Sequence, residues 1–363
     1  LNGKRLARDA IAAAQAVPME GADPELLILM LSRWAELSCR ITRPAQAETL
    51  IHRARAVLSD STRPEIRACV MLVESVLADA AGDKSRREQI LRDILKFLPT
   101  SSLRRKFYVW ELALFLAQQG RGVEMDPDLK SLARQCNAQF RQDRLLLIDF
   151  FNALETGRTP QAVQLLPRVE NNPHVPRDLT RDTFGGYQAL LALMQAQAKD
   201  RKLIAATPMP PVHIPIWVRV VRSLLMRDTS EALRLARLDA NRVLGSVFAG
   251  GFGSFNLIRS ELAAGNWEAA RRLLDMRHSR GNIHYLDDFF LARTDLLASN
   301  QKSAAHHFAE AVKAVDFYQA RARLDFELEL ACELSPVDIV RLLKPEPPPA
   351  RRTKSAEIGA PPG

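Results

Sequence analysis

Residues 261–275 read ELAAGNWEAARRLLD. Glu261–Ala264 and Ala269–Asp275 both have helix-forming composition, yet Gly265 and Asn266 stand between them, followed by Trp267. Shifted by 34 residues, the chain falls on itself: Leu262 on Leu296, Ala264 on Ala298, Asn266 on Asn300, Ala270 on Ala304 and Leu274 on Phe308. The second copy, DLLASNQKSAAHHFAEA, covers 295–311. The same form recurs around Gly157 in NALETGRTPQAVQLL (152–166) and around Gly82 in LADAAGDKSRREQIL (77–91). It recurs once more in LSRWAELSCRITRPAQAETLIHRA (31–54), which breaks at Thr42–Pro44.

The recurrence has a physical reading. Glycine after a helix takes a left-handed C-cap that a side chain resists. Asp, Asn, Ser or Thr then offers an N-cap oxygen, and Pro44 and Pro160 suit a first helical turn. The chain turns back within a few residues, which predicts antiparallel helix pairs with alanine where they cross. One such pair cannot bury both apolar faces, but stacked pairs can, so a period of 30–40 residues predicts an α-solenoid. No segment shows the two-residue alternation of a strand, and the fold class expected is all-α.

The pattern resembles the tetratricopeptide repeat, whose hairpin places a large residue, a Leu–Gly/Ala pair, then Ala, an aromatic or large apolar residue and Ala at fixed offsets. Leu291–Ala292, Ala304, Phe308 and Ala311 match it, as do Leu31, Trp34–Ala35, Ala47, Ile51 and Ala54. The middle copies depart from it: counting from Ala270, the pair position holds Leu257–Ile258, bulky where the family prefers a small second residue. Residues expected to pack repeat on repeat are Trp34, Ala35, Ala47, Ile51, Leu262, Ala270, Leu274, Leu291, Ala292, Ala304, Phe308 and Ala311. The resemblance implies a superhelix that binds a protein or peptide without catalysis. It also suggests, by analogy, the sensing region of a bacterial transcription regulator of the maltose-activator type.

Hairpins are expected at about 25–58, 64–98, 101–137, 139–170, 180–206, 214–240, 253–276 and 285–317, after a leading helix at 3–16 and before closing helices at 318–333 and 336–343. Pro99, Pro127, Pro173, Pro176, Pro208, Pro210, Pro211 and Pro215 are placed between helices. An N-terminal array at 1–206 and a C-terminal array at 214–343 are either continuous or hinged at 207–213. The tail 344–363, KPEPPPARRTKSAEIGAPPG, is proline-rich and reads as a linker. With a first residue other than Met, it suggests a chain cut from something longer.

Of 363 residues, 51 are Lys or Arg and 42 Asp or Glu, a net +9 that favours an anionic partner. Cys39, Cys69, Cys136 and Cys332 are far apart and read as buried free thiols of a reducing, cytoplasmic compartment. No apolar run approaches the roughly 18 residues of a membrane span, and no signal peptide is expected.

Catalytic motifs are missing. Gly250–Gly253 lacks the lysine and preceding strand of a phosphate loop. His278, His284, His306 and His307 lack the spacing of a zinc site. Asp287–Asp288 suit a helix start, and Glu327, Glu329 and Glu333 read as capping or solvated acids. No enzyme, cofactor or metal is expected. The suggestive feature is arginine on the first helix of successive hairpins: Arg33, Arg40, Arg105, Arg141, Arg144, Arg219, Arg222, Arg259 and Arg293. Facing inward, they would form a ladder for an acidic peptide or carboxylate. A basic groove for nucleic acid is the alternative reading, although aromatics do not interleave with the arginines. Uncapped solenoid ends also allow a homo-oligomer.

Overall fold

The computed structural model describes residues 21–40, 44–135, 145–172, 181–196, 200, 214–243, 253, 255–280, 284–335 and 337–338. Among them there is no strand. The regular elements are α1 (Pro24–Arg40), α2 (Pro44–Val57), α3 (Pro64–Ala80), α4 (Lys84–Phe97), α5 (Arg105–Ala117), a 3-10 turn (Gly122–Met125), α6 (Asp126–Gln135), α7 (Leu146–Glu155), α8 (Thr159–Glu170) and α9 (Arg181–Gln195). They continue with α10 (Ile216–Leu225), α11 (Thr229–Val243), α12 (Asn256–Ala263), α13 (Trp267–Ser279), α14 (Asp287–Leu297), α15 (Gln301–Phe317) and α16 (Arg321–Leu330).

The break at Gly265 is a double hydrogen-bonded C-cap. The Asn266 N–H donates to the Glu261 carbonyl and the Gly265 N–H to the Leu262 carbonyl, each at 2.8 Å, with Gly265 at φ 80°. The two bonds satisfy carbonyls that the helix end would otherwise leave without donors. The same pair of bonds closes the turns at Gly82, Gly120 and Gly157. It also closes those at Arg227, Ser299 and Gln319, which hold left-handed φ values of 61°, 62° and 54° without being glycine. After the turn, Asp83, Asp228 and Asn300 each accept an N–H from the first turn of the next helix, from Arg86, Glu231 and Ser303 respectively.

Helices joined by these turns pack on each other, and α1 with α3, α10 with α12 and α12 with α14 also touch. Ion pairs keep the 34-residue spacing. Arg237 on α11 meets Glu261 on α12 at 2.9 Å, and Arg271 on α13 meets Asp295 on α14 at 3.4 Å. All twelve residues expected at repeat contacts are buried.

Three apolar clusters form the interior: one from α1 to α3, one from 255 to 334, and a large one between. The large cluster joins residues from Ala68 to Met194 with Val220 to Ala236 and with Phe326 and Leu330. The cluster therefore has members on both sides of the 207–213 stretch, which itself lies outside the described residues.

The C-terminal helices also fold back on the middle of the chain. Helix α16 packs on α10, and the Cys332 thiol donates to the Leu224 carbonyl at 3.2 Å. The Tyr285 hydroxyl donates to the Glu155 carbonyl, and the Tyr318 hydroxyl to Glu124 Oε1 at 3.0 Å. The turns at Gly120 and Gly157 abut the Tyr285 ring and the Arg323 backbone.

Some expectations need correcting. Pro127 sits in the first turn of α6 and not between helices; its missing N–H there leaves no intrahelical bond unmade. The last long helix starts at Arg321, after a turn at Gln319, and not at 318. Cys39, Cys69 and Cys332 are free but only partly buried, and Cys136 lies outside the described residues. So do the leading helix at 3–16, Thr42, the tail 344–363, the loop Gly250–Gly251 and most of the helix at 336–343.

Candidate functional site

The arginines separate into three kinds. Arg33 is exposed and pairs with Glu36 one turn away, at 2.7 Å. Arg219 lies 3.8 Å from Glu231, and Arg222 is half-buried on the same helix, α10. Arg105 donates to the carbonyls of Leu95 and Leu98, so it closes the C-terminal end of α4. Arg141 and Arg144 lie outside the described residues, as does the side chain of Arg40.

Arg259 and Arg293 are wholly buried. They cannot present a guanidinium to a ligand at the surface. Arg259 Nε donates to Glu327 Oε2 at 2.8 Å, its Nη2 meets Oε1, and its Nη1 donates to Asn256 Oδ1 at 2.7 Å. Arg323, which the sequence reading passed over, donates to Glu327 at 3.0 Å and lies 3.4 Å from Glu155 on α7. Arg293 grips Glu333 in a fork at 2.5 and 2.9 Å. The carboxylates that hold these arginines are therefore the protein's own.

Glu327 and Glu333, expected at the solvent face, are inside. Burial pushes the Glu327 carboxyl up, but the two guanidiniums beside it outweigh this, and the net shift is downward. Glu327 thus bridges α12 to α16 and shares Arg323 with Glu155, tying the C-terminal helices to the middle of the chain. A signal for this was present in the sequence. Arg259 and Arg293 are 34 residues apart, the same spacing as buried Leu262 and partly buried Leu296.

Beside the network lies His284, buried, with Nδ1 accepting the Leu286 N–H at 3.1 Å and Nε2 without a partner. Burial, then the positive charges of Arg277, Arg323 and Arg259, hold its pKa well below the ordinary histidine value. In the unfolded chain the ring binds a proton near pH 6.5; in the folded chain it resists one. The stability it contributes is present above that pH and is lost as pH falls below it. His278, half-exposed against Asp287 at 3.5 Å, is shifted upward, chiefly by its hydrogen bond to that carboxylate, and works in the opposite sense. Between pH 7 and 5 we expect the Tm to fall, and to fall less in His284→Leu. Equal slopes in thermal melts of the two proteins would refute this.

The open surface offers a groove. Helices α2 and α4 flank α3 and leave a cleft of about 560 Å³ lined by Arg55, Leu58, Arg67, Val70, Met71, Glu74 and Phe97. It runs into a smaller one of about 180 Å³ through the shared Arg55 and Glu74, reaching Ile51, His52 and Leu77. Arg55 and Glu74 pair across it at 2.7 Å. A third cleft, of about 350 Å³, occupies the equivalent place between α11 and α13 over α12 and includes Trp267. No helix among the described residues is long and apolar enough to cross a membrane.

Compared with protein-family models, with curated proteins and with solved structures, the chain matches none.

Proposed function

We propose that the chain is a non-catalytic, tetratricopeptide-like superhelix of antiparallel helix pairs that binds a segment of a partner protein. The observation that carries the repeat reading is the recurrence of one turn geometry, together with the 34-residue spacing of the Arg237–Glu261 and Arg271–Asp295 pairs. Identical local chemistry at a fixed interval is how stacked helical pairs are built. The binding reading is supported by the cleft over α3, where apolar Leu58, Met71 and Phe97 lie beside charged side chains. Apolar surface rimmed by polar groups marks interaction sites. By analogy alone, such a module would sense a partner on behalf of a regulator.

The test is a selection of displayed random peptides on the immobilised whole chain, followed by titration of the enriched sequences. Saturable one-to-one binding, weakened by Met71→Glu in the α3 cleft and unchanged by Arg33→Ala, is expected. Absence of any enrichment overturns the reading. Binding of a single-stranded oligonucleotide that falls steeply with salt would replace it with the nucleic-acid alternative.

A further inference from the structure

The corner between α4 and α5 is chemically unlike the rest of the surface. Between Asp93 and Glu111 the chain carries four cations, Lys96, Arg104, Arg105 and Lys106, and no carboxylate. Three large apolar side chains are exposed in the same stretch: Phe97 at 41%, Leu103 at 82% and Phe107 at 37%. Leu103 is the most exposed large apolar residue among those described. Such a cluster is costly to leave in water unless something covers it.

The corner adjoins the α3 cleft through one residue, Phe97. Phe97 lines that cleft together with Arg67 and Met71. Arg104 Nη1 donates to Cys69 Sγ at 2.7 Å, which holds the start of α5 against α3. Arg105 is occupied with the α4 carbonyls, and the exposed cations of the corner are Lys96 and Arg104. The Lys96 side chain is 73% exposed, and its partner Asp93 lies 3.2 Å away on the same helix. An exposed pair of that kind holds its cation weakly and yields to a better anion. On the cleft wall two acids face two arginines, Asp60 3.6 Å from Arg67 and Glu74 paired with Arg55, so the wall is close to neutral. The unbalanced charge at the corner is positive.

We infer that this corner and the adjoining cleft dock an acidic, apolar segment of a partner protein, in which Asp or Glu residues alternate with Leu or Phe. The apolar residues would cover Leu103, Phe107 and Phe97, and the acids would meet Lys96 and Arg104. This rests on the binding reading above and sharpens it by naming the partner's chemistry.

The decisive measurement is the composition of peptides enriched by selection on the whole chain and on the variant Leu103→Ser/Lys96→Glu/Arg104→Glu. Leu103 and Lys96 are surface groups, and an unchanged circular dichroism melt verifies the fold. We expect enrichment of acidic, apolar sequences on the natural chain, and binding weakened about tenfold or more by the variant. Leu103→Ser alone, with all charges kept, should retain part of the loss. Enriched sequences that are neutral or basic, or that bind both proteins equally, overturn this inference while leaving peptide binding intact. Failure to enrich anything overturns both. Binding to phosphatidylserine vesicles, or a concentration-dependent dimer, abolished by the same substitutions without any peptide binding, would overturn it in favour of a membrane surface or a second copy.

Discussion

Glu327→Gln is expected to lower the free energy of unfolding by about 3–5 kcal/mol. Glu327 is wholly buried and is shared by two guanidiniums, Arg259 and Arg323, that are wholly buried as well. The amide keeps the shape but removes the charge and puts an NH₂ donor where an acceptor stood. Arg323 retains Glu155 at 3.4 Å, whereas Arg259 loses its carboxylate fork and keeps neutral contacts such as the Asn256 oxygen and the Phe255 and Phe290 rings. A buried cation without its anion costs far more than the pair itself contributed. Replacing both members of the Arg259–Glu327 pair, as Arg259→Met/Glu327→Leu, should therefore cost less than the sum of the two single changes. An exposed pair gives the contrast: Arg33→Ala, opposite Glu36, should cost no more than about 0.5–1 kcal/mol. Urea unfolding followed by circular dichroism measures all of these. A loss under about 1 kcal/mol in Glu327→Gln would mean that water reaches the network.

Gly157→Ala is the second large effect. Its φ is 76°, and a Cβ there would lie 2.5 Å from the Arg323 backbone nitrogen, with the Ala322 carbonyl carbon and the Arg323 Cα at 3.0 Å. Backbone cannot rotate aside as a side-chain end can, so α16 must move away from the end of α7. That movement would stretch the Glu155–Arg323 contact and the Tyr285 bond to the Glu155 carbonyl. Gly265 supplies the internal control. It has φ 80° in the same turn geometry but no atom within 4 Å of an added Cβ. Gly265→Ala should cost only the left-handed penalty, about 1–2 kcal/mol. Gly157→Ala should cost that and a further 1–3 kcal/mol or so for the overlap. Hydrogen exchange locates the damage: α7 and α16 should lose protection together in Gly157→Ala, while Gly265→Ala should loosen only α12 and α13. Equal costs for the two alanines would show that the close approach of α7 and α16 carries no energy.

The helical breaks were legible because each depends on a few adjacent residues. Gly82, Gly157 and Gly265 announce a left-handed cap, and Asp83 and Asn266, behind two of them, announce the next helix. Ser299 was found only through the repeat, since serine carries no such signal alone. Gln319 was missed for the same reason, and the helix following it was started too early. The arginines misled because sequence tells which residues lie on first helices but not what stands opposite them. Arg259 was taken for a ligand group and Glu327 for a solvated acid, and they are each other's partner across 68 residues. The α4–α5 corner was also passed over. Arg105 was noted, but the exposure of Leu103 and Phe107 beside it appears only once the neighbouring helices are in place.

What the amino-acid order determined by itself is therefore local: helix after helix, the turns between them and the 34-residue interval, all set by backbone hydrogen bonds that close within six residues. What only the tertiary structure decided is which charges meet and which surfaces remain open. Tyr285 reaches Glu155 across 130 residues and Tyr318 reaches Glu124 across 194. These contacts depend on small angles between successive helices, summed along the chain. No single turn encodes that sum, so a cation drawn as a surface ladder ends inside, neutralised by a carboxylate from the same chain.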